Sequence, residues 1–521
     1  MRCSPRVIAL TTVLAVMAAS CGSDRDESSS NTAPPQPATA TTAPPATESG
    51  ASESAATTDE SVATTDATES TDATESTGGS DTTAASDTTT ADTIDPELPM
   101  FGDAPYPCGA TDGENLDDGS EVGVTKDSIV LSTGDDAGYA GSPGLNHEMA
   151  DAMKAIVSKC NDLGGINGRQ ITLNYFDAAI FNVPQAMQSA CEAGSFFLVG
   201  EGWSFDSNQE EARLACDLPA VPGYAVSAAF ANGRDMYNVV PNPADQQTGA
   251  FYAQIAQLFP EETKKVAMLS GNYSATQETR DKVVEAAPAF GWEFVSTSLE
   301  YNITGESDWT PFVKQLQDSG AELVSWVGSC LPNLQLFAQA AAANGYTPII
   351  TADANHYADT CAAANTDGAL DNLYMRLVYL PFEEASVNKA TQDYIDLIKD
   401  KGGDIALLGA ESVSAFLLWA TAAQSCGQTL TRECVVEYLK NVHDWTGHGL
   451  QVATDPGGNN QPTCAMILRL KGTEYVRATP DEPGTFACDD SWTTPITSTP
   501  ALAAAMLDEN RISQQFTGQG G

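Results

Sequence analysis

The stretch from Ala152 to Ala179, "AMKAIVSKCNDLGGINGRQITLNYFDAA", decides the fold. It opens with an apolar-periodic run, as on one face of a helix. A corner follows that carries Gly164, Gly165 and Gly168. Glycine adopts positive φ at no steric cost and lets backbone approach backbone closely, so these residues stop the helix and redirect the chain. The alternating run that comes next ends on Asp177 and reads as a strand. Helix, glycine corner and strand make the αβ step of a doubly wound sheet.

The same step recurs on both sides of this stretch. "SIVLSTGDD" (128–136) reads as a first strand, with a polar loop and the helix of 146–161 behind it. "VPQAMQSACEAG", "SFFLVGEGWS", "SNQEEARLACDLP" and "AVPGYAVS" continue the alternation. It begins afresh after "NVVPNPADQQTG", through "KVAMLSGN", "WEFVSTSLE", "AELVSWVGS" and "YTPIITAD" with helices between them. Short strands alternating with helices predict a parallel sheet covered on both faces. After Tyr379 the chain turns mostly helical, and "GLQVATD" and "TCAMILRLKGTEYVR" read as strands near the end. Beyond about Pro495 little apolar periodicity remains, although "ALAAAMLDEN" has the composition for a helical turn or two.

Two such units place two sets of strand ends around a shared crevice, where open α/β sheets bind ligands. The strand-end loops "GDDAGYAGSPG", "GEGWSFDSN", "PGYAVSAA", "GNYSAT", "GSCLPN" and "ADANHYADT" combine Gly, Ser, Asn and Asp with an aromatic residue in most of them. That composition suits a small polar molecule held between aromatic walls.

The first residues speak of export. Arg2 and Arg6 precede an apolar run from Val7 to Ala19, followed by small residues and Cys21. Residues 1–20 read as a signal peptide, too short to span a membrane. "AASCGS" resembles a bacterial lipobox, which implies cleavage before Cys21, lipidation of that cysteine and attachment to the outer face of a bacterial cell membrane. Secretion without lipid is the alternative. Residues 21–98 are rich in Ser, Thr, Asp and Glu, repeat "TDATES" at Thr65 and Thr71, and contain no aromatic side chain. They cannot bury enough apolar surface to offset chain entropy, and a disordered tether is expected.

The formal net charge of −46 argues against a nucleic-acid partner. Solubility is the plainer reading of that charge. Of 12 cysteines, ten remain once Cys3 leaves with the signal and Cys21 takes lipid. An even set in an exported chain suggests disulfides, and neighbours in the chain pair plausibly. The candidates are Cys108 with Cys160, Cys191 with Cys216, Cys330 with Cys361, Cys426 with Cys434, and Cys464 with Cys488. No GxSxG elbow, HExxH or P-loop is present, and His147, His356, His443 and His448 are too scattered to define a metal set. Catalysis, a metal and a cofactor are therefore not expected.

"NDLGGINGRQITLNYFDAA", "FFLVGEGWSFDS" and "DWTPFVKQLQDSGAELVSWVG" resemble the branched-chain amino-acid (Leu/Ile/Val-type) substrate-binding lipoproteins of ABC transporters. More broadly they resemble the type I periplasmic-binding fold, over about Val122 to Tyr475. The resemblance implies an α/β fold of two doubly wound parallel-sheet lobes joined by a three-crossover hinge. One lobe would take residues 122–240 and 377–445, the other 241–376 and 446–490, with 491–521 as an extension. It also implies ligand-driven closure around a solute, an ABC permease with its ATPase as partners, and a monomer. A sensory or structural surface module with the same clamp is the alternative.

Carried over by position, the resemblance places the ligand carboxylate near Trp203–Ser204–Phe205 and Gly223–Tyr224–Ala225. Tyr273 matches a ligand-contacting tyrosine, and the ammonium-binding acid falls at Asp353 or near Asn355. By chemistry alone, Ser204 offers a hydroxyl and a backbone N–H to an anion, against a plain helix cap. Trp203, Phe205 and Tyr224 read as cleft wall or as core packing, and Asp353 as a cation partner or a capping carboxylate. Ala225 stands where the amino-acid binders have threonine, and Cys330 near where they have tyrosine. Amino acids, amides, urea-like solutes and aromatic acids all stay open.

Overall fold

The computed structural model describes residues 98–110 and 121–497. The signal segment, Cys21, nearly all of the tether and residues 498–521 lie outside the described residues. Strand β1 (Ser128–Asp135) leads into helix α1 (His147–Asp162), which buries Met149, Met153, Ile156, Val157 and Cys160 on one face. At the corner Gly164, Gly165 and Gly168 take φ of 110°, 75° and 86°. A Cβ on Gly165 would stand 1.9 Å from the Arg169 carbonyl oxygen, so no other residue fits there. Strand β2 (Gln170–Asp177) then pairs in parallel with β1 along its whole length.

β3 (Phe197–Val199) and β4 (Ala220–Val221) complete a parallel sheet in the order β2-β1-β3-β4. A second sheet is built from β5 (Val266–Gly271), β6 (Phe294–Tyr301), β7 (Leu323–Val327), β8 (Ile349–Ala352) and β9 (Leu373–Leu377). These five are parallel in the order β6-β5-β7-β8-β9. β10 (Cys464–Lys471) and β11 (Glu474–Thr479) extend it antiparallel beyond β9. Every residue of β5 is buried, as helices on both faces of a parallel sheet require. In each sheet the first strand in chain order lies between the second and the third, which opens a crevice at the strand ends.

Helix α2 (Val183–Glu192) covers the first sheet, and α3 (Ser274–Ala286) the second. The long helix α4 (Leu407–Ser425) is apolar nearly all round and packs against α1 and the first sheet. The chain thus crosses between the sheets three times, and the crossings are tied together. Val452 N–H donates to Val378 O at 2.8 Å. Gln451 Nε2 and Thr454 Oγ1 both donate to Val239 O, at 2.9 and 2.7 Å. Gln451 Oε1 in turn accepts from Tyr379 Oη and Ser414 Oγ, each at 2.6 Å. "GLQVATD" was expected as a strand. It forms this junction instead, because Gln451 makes only a single bridge to Tyr379.

All five disulfides join the neighbours expected from their order in the chain. The C-terminal extension is more ordered at its start than its composition suggests. Thr493–Pro495 pairs antiparallel with Gln246–Thr248, and Ile496 is buried in a cluster with Phe251, Tyr252 and Trp292. One buried isoleucine is enough to dock the segment, and it is too little to register as periodicity.

Candidate functional site

The strand ends of the two sheets face one another across a cavity of about 160 Å³. One water needs roughly 10–15 Å³ of such space, so the cavity has room for a small molecule. Tyr139 and Ser142 line it from the loop after β1, Tyr224 and Ala225 from the loop after β4, and Tyr273 from the loop after β5. Gly328–Asn333 follows β7 and Asp353–His356 follows β8, while the crossings supply Asn238, Val240 and Gln461. The two walls touch at the rim. Ser142 Oγ donates to Leu331 O at 3.2 Å, Ala228 N–H donates to Glu278 Oε2 at 2.8 Å, and the Phe205 and Tyr273 rings meet at 4.8 Å.

Of the residues singled out in the sequence, Ser204, Tyr224, Ala225, Tyr273, Asp353 and Asn355 line the cavity, and Trp203 and Phe205 do not. Trp203 turns into the core, 1 % exposed, and its indole N–H donates to Phe176 O at 3.2 Å. Gly134 in β1 makes room for it, since a Cβ there would meet the indole at 2.5 Å. Phe205 joins an aromatic row, 5.7 Å from Phe181 on one side and packed on Tyr273 on the other.

Two of these residues already have partners within the protein. The Ser204 backbone N–H, expected to face an anion, donates to Asp136 Oδ2 at 2.7 Å. Asp136 is fully buried, and burial pushes its carboxyl up to about 6 against the pull of the Ser204 and Ile180 N–H groups. Asp353, expected to hold a cation from the solute, already accepts from Ala354 N–H at 2.8 Å and meets Arg376 Nη2 at 3.4 Å.

Sequence reasoning missed Tyr139, Lys282, Arg376, His356 and Glu411 on the cavity wall. Lys282 donates to Asn242 Oδ1 at 2.8 Å and Pro243 O at 2.7 Å, and burial lowers it to about 7. His356 is buried and held down to about 4, so its ring is neutral. A signal for two of them was present. Arg376 is the one charge in "LYMRL", and Glu411 the one charge in the whole of α4. Tyr139 Oη, Asn333 Oδ1, His356 Nε2 and Glu411 Oε2 are buried at the wall without hydrogen-bond partners. A buried polar group left unpaired costs about 1–3 kcal/mol, which a bound polar molecule relieves.

The periplasmic binding protein family model matches residues 133–474, more than half of the chain. The chain belongs to that family. Solved structures agree on the fold. The leucine binding protein LivK of Thermotoga maritima is 15 % identical, with a TM-score of 0.56 over 67 % of this chain and 98 % of that one. A fatty acid ABC transporter substrate-binding protein from Thermomonospora curvata gives 15 % and 0.53 over 69 % and 93 %. An ABC transporter solute binding protein from R. palustris, in complex with 4-hydroxybenzoate, gives 14 % and 0.56 over 72 % and 99 %. Among curated proteins no sequence match is found. Family and neighbours are solute-binding proteins of the type I periplasmic-binding fold. Among the described residues no group of three His, Cys, Asp or Glu could hold a metal ion, and no helix is long and apolar enough to cross a membrane.

Proposed function

We propose that this protein is the extracytoplasmic solute-binding subunit of an ABC importer, capturing an amino acid or similar small semi-polar solute between two lobes. The lobes are residues 122–240 with 377–445, and 241–376 with 446–490. The cavity carries the proposal, since it combines tyrosine walls with buried polar atoms that have no protein partner. Its partners are an ABC permease and the ATPase that drives it, and the binding subunit works as a monomer. The names of the structural neighbours extend over leucine, fatty acid and 4-hydroxybenzoate, which supports a small solute with an apolar body. A cognate solute raises the melting temperature by linkage, following RT ln(1 + [L]/Kd), about 2.7 kcal/mol at a hundredfold excess over Kd. A metabolite screen that yields no shift, with native mass spectrometry that finds no co-purified solute, would sink the importer reading.

Cys21 is the proposed attachment point, lipidated after removal of residues 1–20. Two or more acyl chains give durable anchoring. Cys21→Ser should move the protein from the membrane pellet to the soluble fraction. Retention of the variant in the pellet would refute the anchor.

A further inference from the structure

Glu411 stands in the first turns of α4, a helix whose residues from Leu407 to Ala420 are all buried. Gly409, Ala410, Ser412 and Val413 flank it in sequence, and it lines the cavity together with Leu408 and Val378. The residue is 5 % exposed, and its Oε2 has no hydrogen-bond partner. Burial drives its carboxyl well above the usual range, Asp353 adds to that rise, and Arg376 opposes it. The other charged side chains on the wall already have hydrogen-bonding partners. Arg376 meets Asp353, and Lys282 is held by two neutral oxygens. Of the two acids on the wall, Glu411 is the one whose acceptor has nothing to accept from.

A carboxyl group in apolar surroundings is costly unless it is paired and hydrogen-bonded. An N–H-bearing cation placed in the cavity supplies both at once, charge for the carboxylate and donors for Oε2. We infer that Glu411 is the specificity-determining acid of this site and seats a protonated amine of the solute. The amine is therefore recognised from α4 and not from the loop after β8. This rests on the solute-binding reading and narrows it from semi-polar solutes in general to those bearing an amine.

The test compares matched probes that differ at one carbon: the common amino acids against their 2-oxo acid counterparts, with 4-hydroxybenzoate as an amine-free aromatic acid. Melting-temperature shifts rank the probes, and calorimetry gives Kd for those that bind. An amino acid is expected to bind at least tenfold more tightly than its 2-oxo acid. Glu411→Gln, isosteric and expected to melt no lower than the parent, should remove that tenfold preference by weakening the amine partner alone. Glu411→Asp keeps a carboxyl that can give up its proton to pair with the amine and should keep the preference. Equal binding of matched probes, binding of amine-free probes alone, or an undiminished amine preference in Glu411→Gln overturns the inference while the solute-binding function stands. A panel in which no probe of either class binds overturns the amino-acid reading and this inference together.

Discussion

The folded domain should be more stable at pH 5.5 than at pH 7.5, by several kcal/mol. The cause lies in acids buried where they are better off protonated. Glu201 is fully buried with Oε2 unpartnered, and desolvation pushes it up to about 8. Asp206, also fully buried, rises to about 7 even though it accepts from the Val226 and Ser227 N–H groups. Asp136 rises to about 6, and Glu411 well above its ordinary range. A carboxyl whose folded value is raised binds its proton more tightly folded than unfolded. Its contribution is full below the unfolded value near 4 and is lost as pH climbs through the folded value. Three bases act the other way, since burial lowers His448 as it does His356 and Lys282. His356, held at about 4, loses stability as pH falls below 6.5, and Lys282, lowered to about 7, does so as pH falls from about 10 to 7.

The carboxyls outnumber the bases across the window from 7.5 to 5.5. At about 1.4 kcal/mol per pH unit and group, the net gain on acidification is on the order of 3–5 kcal/mol. Falling net charge adds to it, because self-repulsion in a chain of formal charge −46 declines as carboxylates protonate. Urea unfolding at several pH values measures the effect, and Glu201→Gln should flatten the profile more than any exposed Glu→Gln change. A domain that loses stability steadily from pH 7.5 to 5.5 would show that these acids are hydrated in the folded state.

The alternation of strands and helices was legible because a buried parallel strand and an amphipathic helix leave different periods in the sequence. The corner at Gly164–Gly168 was legible for the same kind of reason, since a residue that only glycine can occupy is a local fact. The site was less so. Trp203 follows a strand end, where an aromatic suits a cleft wall and a core equally, and its direction depends on the space left by Gly134 some seventy residues earlier. Asp353 looked free to bind a cation because nothing local betrays that Arg376, on the neighbouring strand, lies within 3.4 Å. Glu411 was the opposite case. A single acid in a long apolar helix is visible in the sequence, but its meaning depends on knowing that α4 borders the cavity.

Breaking the Cys108–Cys160 disulfide should cost about 4 kcal/mol, more than breaking any of the other four. The bond closes 52 residues, whereas Cys426–Cys434 closes only 8. By loop-closure entropy that difference is roughly 4 against 2.5 kcal/mol. More depends on this bond than chain entropy. It fastens the segment 98–110 to the end of α1, beside the glycine corner, where Gly109 N–H donates to Gly165 O at 2.7 Å and Gly168 N–H to Gly109 O at 3.1 Å. The same segment plugs Phe101, fully buried, into the core and anchors Gly102 N–H on Asp393 at 2.8 Å. Paired Cys108→Ser and Cys160→Ser changes remove the tie, and both the corner and the Phe101 plug then depend on a few hydrogen bonds. The double variant should unfold at clearly lower urea with a somewhat steeper transition, since the unfolded chain expands without the cross-link, and protease should cut near residue 105 before the rest of the domain. A midpoint shift equivalent to less than about 1 kcal/mol would mean that packing of Phe101 and the backbone contacts at Gly109 hold the segment without the covalent bond.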